Sequence, residues 1–241
     1  MLIQEKSILN RIPKVLNARQ IFLLEGIRYS ANSMSLCYER LFEELNIISV
    51  DPKIANTKNE SFYIIINDAW NLIDWTNRFT VLLNSLSTKD KSTPHGENIS
   101  FLLKTKEFRN TLQHLEERID EHFISLKSPM WGCISWTQFV NPKLLRGYTL
   151  MAGHARDGFL LPMNNPLGNL ITPPIDHITL HSIVKRPSFH VESLNLSELY
   201  QRAQNIITKL EIDLEPQLAS YHQYGGFLQD LVVSIDVVPN I

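Results

Sequence analysis

Apolar and small residues recur every three or four positions over three long stretches in the first half of the chain. From about Lys14 to Ile47 they fall at Leu23, Ile27, Ser30, Met34, Cys37, Leu41 and Leu45, one stripe of an amphipathic helix. Pro13 suits the first turn of that helix, where a missing N–H costs nothing. A second stripe of Ile65, Ala69, Leu72, Thr76, Phe79, Leu83 and Leu86 predicts a helix over about 61–86. The polar stretch 87–98, with Pro94 and Gly96, predicts an exposed loop. A third helix is predicted over about 99–124, its core stripe being Phe108, Leu112, Leu115, Ile119 and Phe123.

The rhythm changes after Pro129. Short segments rich in aromatic and apolar residues follow at about 131–139, 147–154 and 159–163, with Asp157-Gly158 as a hairpin-turn signal. Residues 176–184 and 188–194 read as a second hairpin around Lys185-Arg186-Pro187, and 164–174 as loop. Asn195, with Glu198 three residues on, opens a last helix whose stripe is Leu199, Ala203, Ile206 and Leu210. The expected architecture is mainly α. Three helices within 14–124 and a closing helix at 195–215 form a four-helix bundle, and a small β-hairpin-rich insertion occupies 129–194. We read residues 1–241 as a single domain.

Composition narrows the function classes. The chain has 44% hydrophobic and 20% charged residues, enough apolar surface for a core. A net charge of -2 argues against coating nucleic acid by bulk charge, though not against a local phosphate site. Cys37 and Cys133 form no CxxC pair and read as core residues. Glu5 and Lys6 interrupt any secretory h-region, and apolar runs such as 62–66 are too short to span a bilayer. A cytoplasmic protein without a membrane partner is expected.

The chemistry concentrates at Arg109-Asn110-Thr111-Leu112-Gln113-His114, followed by Leu115-Glu116-Glu117-Arg118. An imidazole exchanges protons near neutral pH. A guanidinium offers a rigid fork of donors to a phosphate whose charge grows in a transition state. On an ideal helix Asn110 and His114 lie about 40° apart and share a face, whereas Arg109 and His114 are about 140° apart. The competing reading is a solvated, ion-paired face of Arg109, Glu116, Glu117 and Arg118 with His114 at its edge.

The run 108–120 resembles the RNxxxH signature of the HEPN superfamily, helical-bundle proteins that include metal-independent ribonuclease toxins. Gln113 departs from the acidic residue that often precedes the histidine there. The resemblance implies a homodimer with a composite site in which Arg109 and His114 are catalytic and Asn110 binds substrate. It implies RNA cleavage through the neighbouring 2'-hydroxyl, no cofactor and no metal, in a toxin or defence component. A cognate antitoxin of nucleotidyltransferase type would be a possible partner. The alternative is a non-catalytic HEPN-like module that binds a nucleotide or a protein in the same groove. Asp74 and Arg78, four apart beside Trp70 and Trp75, read as an ion pair that can support such a groove.

Other polar residues carry less. His177 and His181 are separated by four strand residues, about 13 Å, too far to share one metal ion without a bend. His190 can approach one of them, with no evident third ligand. His154, Arg156 and Asp157 read as turn residues. The sequence contains no GxxxxGK[ST], GxSxG or GxGxxG, so nucleotide hydrolysis, hydrolase-elbow and dinucleotide chemistry lack support.

Overall fold

A computed structural model describes residues 1–13, 16–50, 59–86, 95–141, 144–153, 175–185, 188–219 and 224–227. The expected features at 87–94, 154–163 and 164–174 lie outside them. The described chain is mainly helical with a small antiparallel sheet.

Helix α1 spans Ala18–Val50 and α2 spans Asn59–Leu86. Their expected stripes are buried: Ile27, Met34, Leu41 and Leu45 on α1, and Ile65, Ala69, Leu72, Phe79 and Leu83 on α2. Contacts of Gly26 with Leu82, Met34 with Thr76 and Arg40 with Asp68 run in opposite order along the two helices, so they pack antiparallel. Gly26 has a packing role here. A Cβ at that position would meet Leu82 Cδ1 at 2.8 Å, closer than a well-packed interface tolerates.

The start of α1 differs from the expectation. Pro13 belongs to a short strand β1, Arg11–Pro13, not to a helical first turn. The cap is Asn17, whose Oδ1 accepts from Gln20 N while Gln20 Oε1 accepts from Asn17 N, both at 3.0 Å. This reciprocal box satisfies two end donors, and Asn17-x-x-Gln20 was its signal in the sequence.

The third stretch is not one helix. It consists of α3 (His95–Leu102), α4 (Thr105–Gln113), α5 (Leu115–Arg118), a π-helical turn (Ile119–Phe123) and α6 (Ile124–Leu126). Residues 95–98, expected in a loop, are helical. Phe108 and Phe123 are buried as expected, but Ile119 is exposed and Leu112 and Leu115 are only half-buried. Thr105, Thr111 and Arg118 occupy the buried positions instead.

Four strands follow: β2 (Cys133–Asn141), β3 (Leu144–Met151), β4 (Ile175–Lys185) and β5 (Phe189–Asn195). They form one antiparallel sheet in the order β3-β2-β4-β5. The expected second hairpin is β4–β5, with Lys185 opposite Phe189. Every residue from Ile178 to Val184 on β4 is buried, the polar Thr179, His181 and Ser182 included. Cys37 and Cys133 are both buried free thiols, and burial pushes each up to about 11.

Helix α7, Leu196–Ala219, starts where Asn195 Oδ1 accepts from Glu198 N at 2.9 Å. Leu199, Ala203 and Ile206 face the core as expected. Tyr200 stacks on Tyr38 of α1 with ring centroids 4.2 Å apart. Sheet and helices share one apolar cluster that includes Leu41, Leu72, Trp136, Leu180 and Ile206. Trp136 Nε1 also donates to Ser49 Oγ at 2.8 Å. A strand that the sequence did not signal, β6 (Tyr224–Phe227), pairs antiparallel with β1.

Candidate functional site

The site begins with the anchoring of α4. Thr111 Oγ1 donates to the backbone carbonyl of Ile183 on β4 at 2.6 Å, in a buried position. One turn further on is His114, with φ -115 and ψ 38, between α4 and α5. Its N–H still bonds Asn110 O at 3.1 Å, and its own carbonyl accepts from Arg118 N at 3.2 Å. No proline or glycine marks this break. The effect is to hold His114 beside the β4–β5 turn with its side chain half exposed, 53% accessible.

A pocket of about 290 Å³ opens there, lined by Asn110, His114, Glu117, Arg118, Lys185 and Phe189. His114 Nδ1 lies 3.3 Å from Glu117 Oε2, so proton donor and acceptor groups share the pocket. The structure therefore brings together Asn110 and His114, two of the three residues singled out at the RN…H run.

Arg109 does not join them. Its Nε donates to Asp74 Oδ1 at 2.6 Å, while Arg78 Nε donates to Asp74 Oδ2 at 2.7 Å. Burial pushes the Asp74 carboxyl up, but the hydrogen bonds from Arg78 and Arg109 outweigh it and hold it below the usual carboxylate range. Arg78 also lies over the Trp75 ring, 5.4 Å from its centroid. This triad borders a groove of about 590 Å³ between α1 and α2, where Phe22, Tyr29 and Val81 are exposed. Within one chain Arg109 and His114 thus open onto different hollows, in keeping with their angular separation.

Arg118 corrects the picture of a solvated charged face. Only 8% of it is exposed, and its guanidinium carbon lies 4.7 Å from the Phe189 ring centroid. Nothing in the sequence pattern distinguished it from Glu116 and Glu117. Its side chain reaches from α5 to the ring of Phe189 on β5.

The sheet histidines do not converge. His181 is buried, with Nε2 2.7 Å from Ser135 Oγ and Nδ1 2.7 Å from Ser193 Oγ. Burial pushes its imidazole down to about 4. His190 pairs across from Val184 and contacts Ser188 O and Glu192. His177 sits at a backbone irregularity with φ 55. Among the described residues no group of three His, Cys, Asp or Glu is placed to hold a metal ion. His154, Arg156 and Asp157 lie outside the described residues. No described helix is long and apolar enough to cross a membrane.

Comparison with protein-family models, with curated proteins and with solved structures gave no match to this chain.

Proposed function

We propose that this chain is a HEPN-like, metal-independent endoribonuclease acting as a homodimer, a toxin or defence component of the cytoplasm. The observation that carries the reading is the His114–Glu117 pair, half exposed at a pocket shared with Asn110. An imidazole–carboxylate pair can take the proton from an RNA 2'-hydroxyl and return one to the departing 5'-oxygen. The 2'-oxygen attacks phosphorus as the bond to the 5'-oxygen breaks, leaving a 2',3'-cyclic phosphate and a 5'-hydroxyl. Asn110 would bind the substrate. Arg109 would come from the second protomer, since within one chain it lines a different hollow from His114. Helices α1, α2, the segmented third stretch and α7 would be the four helices of the bundle, with Asp74 and Arg78 supporting the groove.

The second reading is a non-catalytic HEPN-like module that binds nucleotide or protein. One observation favours it: Arg109 is already engaged by an acidic partner on another face.

Incubating the full chain with end-labelled single-stranded RNA in excess chelator separates the two. Cleavage with 2',3'-cyclic ends is expected, and His114→Ala should lower it by about 10²-fold or more with the unfolding midpoint unchanged. Arg109→Ala should also lose cleavage, and should be rescued by mixing with His114→Ala subunits, which restores one intact composite site. Binding without cleavage would favour the second reading. Neither binding nor cleavage, with any RNA of mixed sequence, would remove the ribonuclease and the RNA-binding form of the second reading. A neighbouring gene for a minimal nucleotidyltransferase would add the antitoxin partner.

A further inference from the structure

We infer that Arg118 and Lys185, held against Phe189, form a built phosphate-binding subsite, so that the guanidinium one chain itself supplies to this pocket is Arg118. The inference rests on the phosphate-ester reading of the same pocket and assigns its ligand chemistry to different residues.

Three observations converge on it. Arg118 is more than nine-tenths buried and lines the pocket, yet its buried Nε has no hydrogen-bond partner among the described residues. A buried donor on a charged group without an acceptor is costly, and an oxyanion in the pocket would supply the missing acceptor. Lys185 adds a second cation. Its Nζ lies 5.2 Å from the centroid of the same Phe189 ring that Arg118 covers at 4.7 Å. The ring face attracts both cations, which repel one another, and a bound dianion would relieve that repulsion.

The arrangement is also pre-set by the fold. Lys185 and Phe189 are paired opposite each other across β4 and β5, and Thr111 pins α4 to the neighbouring Ile183. The β4–β5 register thus sets Lys185 beside Phe189. Among the described lining residues Glu117 is the one carboxylate, and it faces His114 at 3.3 Å. The volume, about 290 Å³, sits at the small end of ligand pockets. It suits a phosphate with an attached sugar. Because both cations already lie on Phe189, its ring acts to hold the cations and is not proposed as a base-stacking platform.

The test uses the full chain and three probes: inorganic phosphate, adenosine 5'-monophosphate and single-stranded RNA. Calorimetric titration at matched ionic strength, with chloride as the reference, should show saturable phosphate binding. Lys185→Gln should weaken it at least tenfold, and Phe189→Leu should weaken it while leaving an apolar side chain in place. Lys185 is exposed, so its variant keeps the test valid even where Arg118→Gln fails to fold. Lys209→Gln, on α7, outside the pocket lining and paired with Asp213, should leave binding unchanged. Tighter binding of the nucleotide or of RNA than of inorganic phosphate would tell whether the natural phosphate belongs to a nucleotide, a polymer or the free ion.

Phosphate no better than chloride up to tens of millimolar would overturn the inference, as would equal phosphate affinity in the parent and Lys185→Gln. The two readings fail separately. Phosphate binding lost in Lys185→Gln with no RNA binding or cleavage leaves the subsite and removes the ribonuclease. Phosphate affinity and RNA cleavage that both persist unchanged in Lys185→Gln and Phe189→Leu leave the ribonuclease and remove the subsite.

Discussion

Arg40→Ala is expected to lower folding stability by about 1 to 3 kcal/mol, read from urea unfolding at neutral pH, because the carboxylate left behind is buried while the guanidinium that is removed is half exposed. Asp68 on α2 is fully buried, and Arg40 on α1 gives it two parallel hydrogen bonds, Nε to Oδ2 at 3.1 Å and Nη2 to Oδ1 at 2.5 Å. Burial already pushes the Asp68 carboxyl above the usual range, and Arg40 opposes that rise. Removing the guanidinium leaves a buried carboxylate with no counter-charge, which takes up a proton or opens the α1–α2 contact. The deficit should depend on pH with a definite sign. A raised folded pKa means that the protonated form is the one the fold tolerates. The variant should therefore approach the parent as pH falls towards the unfolded carboxylate value, and fall behind it as pH rises. A loss below about 1 kcal/mol at neutral pH, as for a surface ion pair, would show that water reaches Asp68.

His181 should dominate the acid side of the stability curve. Its folded value is about 4 against an ordinary 6.5, because burial between Ser135 and Ser193 disfavours the charged ring. Folding thus favours neutral His181, and the unfolded chain binds the extra proton. The contribution is complete above about pH 6.5 and is lost as pH falls through the interval down to about 4. A shift of this size corresponds to about 3 kcal/mol. Unfolding free energies measured across that interval should fall more steeply in the parent than in His181→Gln, which does not titrate. The Gln variant should start lower near neutral pH, since an amide cannot reproduce both serine contacts. Parallel pH profiles in the two proteins would mean that His181 does not control acid stability.

The long helices were legible because their cause is local. The stripe from Ile27 to Leu45 repeats often enough that no alternative period fits it, and the same holds for α2 and for Leu199 to Ile206 on α7. Asn195 and Glu198 marked the start of α7 by cap chemistry alone. The third stretch misled for a physical reason. Leu112, Leu115 and Ile119 continue the apolar period without a proline or glycine, but tertiary contact outweighs the pattern. Thr111 bonds a strand carbonyl, Arg118 finds the face of Phe189, and the chain breaks between them at His114.

The candidate site was legible as residue types and not as an assembly. Asn110 and His114 could be placed on one face from helix geometry, and Arg109 on another. Lys185 and Phe189 are more than seventy residues further along the chain. Their arrival depends on the β4–β5 register, which no local signal near His114 encodes. Asp74 with Arg78 was readable from their spacing, whereas the capture of Arg109 by the same carboxylate was not.

The pairing of β1 with β6 bears on the order in which this molecule assembles. Arg11 meets Phe227 and Pro13 meets Tyr224, partners more than two hundred positions apart and joined through three residue pairs. Closing so long a segment carries a large entropic cost for little contact, whereas α1 and α2 are neighbours in the chain and meet along most of their length. The α1–α2 pair is therefore suited to nucleate folding. The two-stranded ribbon is suited to form after α7 has docked and to open before the rest of the molecule, so that fraying at 11–13 and 224–227 would precede global unfolding.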